Sequence, residues 1–219
     1  MLAAVKIDIS RLQGIPLFAG VPEAQLAQIA HMMFGRRVPR NKTIVHAGDL
    51  TGSLYVIVRG SAKVMNRDLE GNEVILTLLG AGECFGEMGL IDGSPRSADV
   101  VANEECELLE ISKSDFKRAL AENVELGLNI MKSLVLRLRE ANRKIESLAL
   151  MDVYGRVAKL LLDLSEKEGA LRVIRRKITK QDMAKMVGAS REMVSRVMKD
   201  LEASGYLSVE SGRIVLHED

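Results

Sequence analysis

"ITKQDMAKMVGASREMVSRVMKDLEASGYL" runs from Ile178 to Leu207. Thr179 precedes an apolar-periodic run and has Asp182 three positions later, the spacing of a capping-box variant. Gly188 lets the chain turn, and Ser190 stands where a second helix, from Arg191 to about Ala203, needs its N-cap. The stretch predicts two short helices joined by a three-residue turn. On the second, Met193, Val194, Val197, Met198 and Leu201 largely supply the buried side. Arg191, Glu192, Ser195, Arg196 and Lys199 fall at i, i+1, i+4, i+5 and i+8 and share one polar face.

The flanks extend the pattern. "YLSV" and "RIVL" around Ser211–Gly212 predict a terminal hairpin. Upstream, "LRVIRRKI" reads as a strand, and "VYGRVAKLLLDLSEKEG" as an amphipathic helix stopped by Gly169. Helix, turn, helix and hairpin together make a winged helix-turn-helix. Its polar face suits a major groove: Arg bonds two acceptors on guanine and Glu accepts from the cytosine amino group. Thr179, Lys180, Gln181 and Ser190 sit at helix starts, where side chains and backbone N–H groups hold phosphates. From Arg172 to Lys199 there are nine Lys/Arg against only Asp182 and Glu192, an excess that attracts a polyanion. An ordinary surface helix with paired charges is the plainer reading. The agreement of turn, caps, polar face and basic excess outweighs it.

Working upstream again, Val124, Gly127, Met131, Leu134, Leu138, Ala141, Ile145 and Leu148 recur at alternating spacings of three and four. That is an unbroken heptad seam on one long helix, ending near Leu150–Asp152. Lys132, Arg137, Arg139, Glu140, Arg143, Lys144 and Glu146 lie between the seam positions. Such a seam either packs on its own domain or pairs with a second copy. The strict 3.5 period, which keeps one narrow stripe toward a partner helix, favours a parallel homodimer through Leu134, Leu138, Ala141, Ile145 and Leu148.

Before Ser112 the texture is different. "TIVHAG", "SLYVIVRG", "AKVMNR", "EVILTLL", "SADVVA" and "ECELLEIS" are short β-rich runs punctuated by Gly48, Gly52, Gly60, Gly71, Gly80 and Gly82. They predict a small barrel or rolled sandwich. Residues from about Ile15 to Arg37 read as short helices, with Pro22 at a helix start. Inside the β region "FGEMGLIDGSPRSA" (Phe85–Ala98) sets two glycines around a carboxylate, then a turn, then an arginine beside a serine. Either Glu87 and Arg96 form an ion pair across a hairpin, or both address a small molecule.

Composition narrows the classes. The chain has 219 residues, 47% hydrophobic, with a net charge of +1, so its overall balance names no partner. Residues 1–151 carry 18 basic and 19 acidic side chains, which confines the basic excess to the C-terminal part. Cys84 and Cys106 are the only cysteines, without CxxC spacing, and His31, His46 and His217 are scattered. Metal, iron–sulfur and haem sites are unsupported, no residues suggest catalysis, and each thiol is expected to be buried. No apolar run reaches membrane-span length, and no basic start leads into an apolar stretch, so a cytoplasmic protein without membrane association is expected.

Ile178–Leu207 resembles the helix-turn-helix of the CRP/FNR family of bacterial transcription regulators. Phe85–Ala98 resembles that family's cyclic-nucleotide pocket, and "LALMDVYGRVAKLLL" its junction between dimer helix and DNA-binding domain. The cAMP receptor protein branch is the nearest in pattern. The resemblance implies an α+β chain: residues 1–123 a cyclic-nucleotide-binding β-roll with N-terminal helices, 124–151 a dimerisation helix, 152–219 a winged helix-turn-helix. By resemblance, Glu87 accepts from a ribose 2′-hydroxyl, Arg96 pairs with the cyclic phosphate and Ser97 adds a donor. Gly86 leaves room for the backbone, and Met88 follows in the same cassette. Where the cAMP-responsive branch places a Thr-Ser pair against adenine, this chain has Ala141 and Asn142. Only Asn142 can still read a base through its side chain. Asp99, Arg137 and Arg143 either read a guanine or are solvated charges beside a coiled coil. Cyclic di-GMP is therefore the alternative effector to cAMP. A regulator whose roll is ligand-free, and a nucleotide-binding module serving an enzyme, are the other readings. The recognition helix speaks against the module. Arg191, Glu192 and Arg196 keep the order and spacing of the family's base-reading trio, which implies a palindromic TGTGA-like site in double-stranded DNA. The resemblance as a whole implies RNA polymerase as a partner.

Overall fold

The computed structural model describes residues 9–50, 52–169, 171–175, 178–210 and 213–217. The chain divides into two compact units, Met1–Leu138 and Arg139–Asp219.

The first unit begins with α1 (Ile9–Gln13), a single 3₁₀ turn (Pro16–Phe18) and α2 (Glu23–His31). Among the described residues eight strands follow: β1 (Met33–Val38), β2 (Thr43–Val45), β3 (Ser53–Arg59), β4 (Ala62–Arg67), β5 (Glu73–Leu79), β6 (Cys84–Phe85), β7 (Asp99–Ala102) and β8 (Cys106–Ser112). A short helix, α3 (Met88–Asp92), separates β6 from β7, and α4 (Lys113–Glu122) leads into α5 (Val124–Leu150). The strands form two antiparallel sheets, ordered β1-β8-β3-β6 and β2-β7-β4-β5. This is the β-roll.

Side-chain alternation explains why "LYVIV" in β3 is apolar without interruption. Tyr55 and Ile57 point into the roll with Phe85, Val100 and Leu108. Leu54 and Val56 point the other way, into a second core with Leu12, Leu26, Ile29, Phe116, Leu126 and Ile130 from the helices. A strand buried on both faces loses its polar alternation. At the β3–β4 turn Gly60 has φ +92°, and a Cβ there would overlap the Glu105 carbonyl.

One expectation fails here. Met33–Arg37 is not helical: α2 ends at His31, and Met33–Val38 pairs with β8 in register from Met33↔Ile111 to Val38↔Cys106. Only Met33 and Val38 of this strand are buried, so it carries neither helical nor strand periodicity. The six β-rich runs each hold a strand, while the two-residue β6 was too short to announce itself.

Most seam residues of α5 stay exposed within one protomer. Leu126 and Ile130 are the residues that enter the helix-side core, each one position before a seam residue. Met131, Leu138, Ile145 and Leu148 are more than half exposed, and only Leu134 touches that core from the seam.

The second unit carries α6 (Val153–Leu164), β9 (Glu166–Glu168), β10 (Leu171–Ile174), α7 (Lys180–Val187), α8 (Arg191–Ala203), β11 (Leu207–Glu210) and β12 (Arg213–Leu216). Its sheet runs β11-β12-β10-β9, all antiparallel. The core joins Val157 and Leu161 of α6 to Met183, Val187, Val194, Val197, Met198 and Leu201. Two details differ from the sequence reading. Helix α6 stops at Leu164 with Ser165 extended, and Gly169 (φ +62°) turns the β9–β10 hairpin instead of ending a helix. Met193 is 37% exposed, because it stands about 100° ahead of the Val194–Val197–Met198–Leu201 stripe. Residues 176–177, the end of "LRVIRRKI", and the hairpin tip at 211–212 lie outside the described residues.

Candidate functional site: a charged cassette and a basic helix face

The cassette hangs between β6 and β7. At Gly86 the backbone turns with φ +87°, and a Cβ would overlap the Arg96 guanidinium. Glycine here is what allows Arg96 to lie against the main chain. Arg96 Nη1 donates to the Gly86 carbonyl at 3.0 Å, and Nη2 donates to the Ser53 carbonyl at 2.6 Å. Its guanidinium also sits 5.8 Å from the centre of the Tyr55 ring. The backbone is pinned too: Arg96 N–H donates to Asp49 O, and Gly48 N–H donates to Arg96 O.

Arg96 is 9% exposed, yet no carboxylate among the described residues lies within ion-pair distance of it. Burial lowers its pKa, and the negative neighbours, Glu87, Glu110 and Asp49 among them, oppose that shift. An arginine stays protonated at any ordinary pH. The cassette therefore holds a buried cation supported by carbonyl dipoles and a π-face, without a neutralising charge.

Glu87 is 2% exposed and is not the partner of Arg96. Its Oε1 accepts from Arg137 Nη1 at 2.6 Å, while Oε2 is buried without a hydrogen-bond partner. Arg137, on α5, also donates through Nη2 to the Cys84 carbonyl. The hairpin ion pair considered from the sequence does not form. Two needs are left in one place: a carboxylate oxygen lacking a donor and a cation lacking an anion. A buried orphan acceptor calls for explanation in any structure. A molecule carrying a hydroxyl and a phosphate satisfies both needs.

Gly86, Glu87, Arg96 and Arg137 are thus brought together. Met88 and Ser97 sit in the same segment and are exposed. Asp99 is drawn elsewhere: its Oδ1 accepts from Ala47 N–H at 2.8 Å and lies 3.9 Å from His46 Nδ1. Asn142 and Arg143 are exposed on the part of α5 that belongs to the second unit. Arg137 is not a freely solvated charge, and its tie to Glu87 is what sequence reading missed. Fifty residues separate the two, and the only signal was a basic residue flanking the seam. Both cysteines are free and buried. Burial first, and the Glu87 charge second, push the Cys84 thiol up to about 12, so it is inert at neutral pH.

The second unit presents the other surface. Thr179 Oγ1 accepts from Asp182 N–H at 3.0 Å, and Asp182 Oδ2 accepts from Thr179 N–H, completing the capping box. Gly188 adopts the left-handed conformation (φ +66°), and Ser190 caps α8 by accepting from Met193 N–H. Arg191, Glu192, Arg196 and Lys199 are exposed along one side of α8, with Ser195 half-buried between them. Lys180 and Gln181 are exposed in the first turn of α7. Among the described residues no ion pair engages Arg191, Glu192, Arg196 or Lys199, whereas Arg175 is paired with Glu168. The helix face is held by its caps and core, and its charged groups are uncommitted.

Comparison with known proteins assigns both surfaces to one family. Residues 35–123 match the cyclic nucleotide-binding domain, and residues 155–218 match the Crp-like helix-turn-helix domain. The chain belongs to the CRP/FNR family of transcription regulators. It is 38% identical over 185 residues to the cAMP-activated global transcriptional regulator CRP of Haemophilus influenzae, an alignment covering 83% of each chain. It is 39% identical over 188 residues to the cAMP-activated global transcriptional regulator Vfr of Pseudomonas aeruginosa, covering 83% of this chain and 88% of that one. Among solved structures, the c-di-GMP responsive global regulator CLP of Xanthomonas campestris superposes with a TM-score of 0.76 at 30% identity, covering 90% of this chain and 100% of that one. No described helix is long and apolar enough to cross a membrane.

Proposed function

We propose that this family member is a homodimeric, sequence-specific DNA-binding regulator whose affinity for DNA is set by a cyclic nucleotide, with cAMP as the effector. The carrying observation is the buried Arg96 cation without a neutralising partner, beside the orphan oxygen of Glu87. A cyclic phosphate neutralises the first, and a ribose 2′-hydroxyl donates to the second. Ser97 and Met88 border the ligand, and Asn142 reads the base. The names of the CRP and Vfr relatives support cAMP.

Cyclic di-GMP is the second reading. It is favoured by the likeness to CLP and by Ala141, which removes a side-chain hydrogen bond where the cAMP-responsive branch has one. In that case Arg137, Arg143 and Asp99 supply guanine contacts.

Residues 124–151 pair two protomers through Leu134, Leu138, Ala141, Ile145 and Leu148, a stripe that one protomer leaves largely uncovered. Residues 1–123 hold the effector and residues 152–219 the DNA, with RNA polymerase as the further partner in the cytoplasm. A nucleotide that fits the paired helix better than the unpaired one shifts the population toward a DNA-competent geometry. Calorimetric titration with cAMP, cGMP and cyclic di-GMP tests this. Saturable binding of one of them, lost on Arg96→Leu, is the expected result. DNA binding that proceeds while none of the three binds would instead mark a ligand-independent regulator.

A further inference from the structure

How tightly Arg96 takes an anion depends on how its guanidinium is held, and one of its three supports is the Tyr55 ring. Tyr55 in β3 stands directly across from Glu110 in β8, so both side chains leave the same face of the sheet. The phenol donates to Glu110 Oε1 at 3.1 Å. Phe85 stacks on the ring at 5.1 Å between centroids, with 17° between the planes. Tyr55 is 6% exposed, and its ring is fixed at its tip and on its face. Glu110 reaches Arg96 by a second route as well. Its Oε1 accepts from Ser53 Oγ at 2.7 Å, and the Ser53 carbonyl accepts from Arg96 Nη2. Arg36 closes the outer side, 3.8 Å from Glu110 Oε2 and 5.9 Å from the ring centre.

We propose that Tyr55 is a positioning residue for the anion taken by Arg96: its clamped ring fixes the guanidinium while leaving the positive charge available. The inference rests on the nucleotide reading above. A carboxylate in the same place would hold the arginine but would also neutralise it and compete with phosphate. An aromatic face attracts the cation through its quadrupole and adds no negative charge. The Glu110 carboxylate that organises this support is itself kept one residue away from Arg96, behind the phenol and the serine.

The test is calorimetric titration of the full-length protein with cAMP and with cyclic di-GMP, for wild type, Tyr55→Phe and Tyr55→Leu. Phenylalanine keeps the ring and should bind within about threefold of wild type, whereas leucine should bind about tenfold more weakly. A leucine variant as tight as wild type overturns the proposal, and so does a phenylalanine variant as weak as the leucine one. Since Tyr55 is buried, a second measurement dispenses with the leucine variant and with ligand. The chain has no tryptophan and three tyrosines, so its near-ultraviolet emission is tyrosine emission. Arg96→Leu should change that emission in nucleotide-free protein carrying Tyr55, and should not change it in the Tyr55→Phe background. Unaltered emission with Tyr55 present overturns the contact. Wild type that binds neither nucleotide overturns the nucleotide reading, and this inference with it. Normal binding by wild type and leucine variant alike overturns the role of Tyr55 alone.

Discussion

Arg137 on α5 donates to the Glu87 carboxylate at 2.6 Å, joining the long helix to the cassette across fifty residues of chain. Glu87 is almost fully buried and Arg137 is 28% exposed at its side chain. Removing the arginine leaves a buried carboxylate with no ionic partner. A fully buried broken pair costs about 3–5 kcal/mol, and the partial exposure of Arg137 reduces that, so Arg137→Ala should lose about 2 kcal/mol. Arg137→Lys keeps the charge but loses the fork that also reaches the Cys84 carbonyl, and should lose less. Urea unfolding of the three proteins would decide; equal midpoints for wild type and alanine variant would show that the pair holds nothing.

Arg96→Leu separates binding from folding. The wild-type arginine is a buried cation without a counter-charge, and replacing it removes an unfavourable burial together with two hydrogen bonds to carbonyls. Stability should therefore change little, while nucleotide affinity should fall by roughly a hundredfold, the loss of a charge-assisted phosphate contact. Calorimetry beside a thermal melt reads both quantities. Unchanged affinity removes Arg96 from the site.

How much of this was legible in the sequence depends on how far each interaction reaches along the chain. The helix-turn-helix was legible because its decisive contacts are local: Thr179 with Asp182, Gly188 in its own left-handed turn, and Ser190 with Met193. Glu87 and Arg96 were legible as residue types in a cassette, and the resemblance placed them. Their partners were not, since Arg137, Ser53 and Tyr55 come from strands and helices more than forty residues away. Strand β1 was lost for a related reason. Its pairing with β8 is a tertiary fact, and its middle, Phe34 to Arg37, has no buried face to set a period. The 3.5 repeat on α5 is visible in the sequence, but the exposure of Met131, Leu138, Ile145 and Leu148 within one protomer is not.

The proposed dimer is tested at that exposed stripe. Leu138 and Ile145 are each more than 60% exposed in one protomer, so glutamate at either position costs the monomer little. In a paired seam the same substitutions bring like charges together in an apolar interface. Leu138→Glu with Ile145→Glu should sediment as a folded monomer at concentrations where wild type is dimeric. A double variant that remains a dimer places the interface elsewhere.

Coupling between effector and DNA must be reciprocal. If nucleotide raises DNA affinity by some factor, DNA raises nucleotide affinity by the same factor. Typical couplings of about 1–3 kcal/mol correspond to roughly 5- to 150-fold. Titrating nucleotide into protein alone, and into protein saturated with a bound DNA site, should show tightening within that range. Identical affinities would leave nucleotide binding intact and abolish the allosteric link.

The DNA sequence is the sharpest expectation. Arg191, Glu192 and Arg196 are exposed on one face of α8, free of described ion pairs, and keep the spacing of the family's base-reading trio. The two arginines should each read a guanine, and the glutamate a cytosine on the opposite strand. That gives a TGTGA-like half-site, repeated as a palindrome by the two-fold symmetry of a dimer. Met193, exposed beside Glu192, offers the groove an apolar contact. Each bidentate pair is worth about 1–3 kcal/mol of discrimination, so Glu192→Ala should relax preference at one base pair and leave the others. Lys180 lies at the start of α7, outside the trio, and Lys180→Ala should weaken all sites alike and lower the salt dependence by about one phosphate. Selection from random DNA, run on wild type and both variants, reads all of this at once. A selected motif lacking TGTGA-like half-sites would mean that the trio does not read bases here, and a sequence-dependent effect of Lys180→Ala would mean that α7 does.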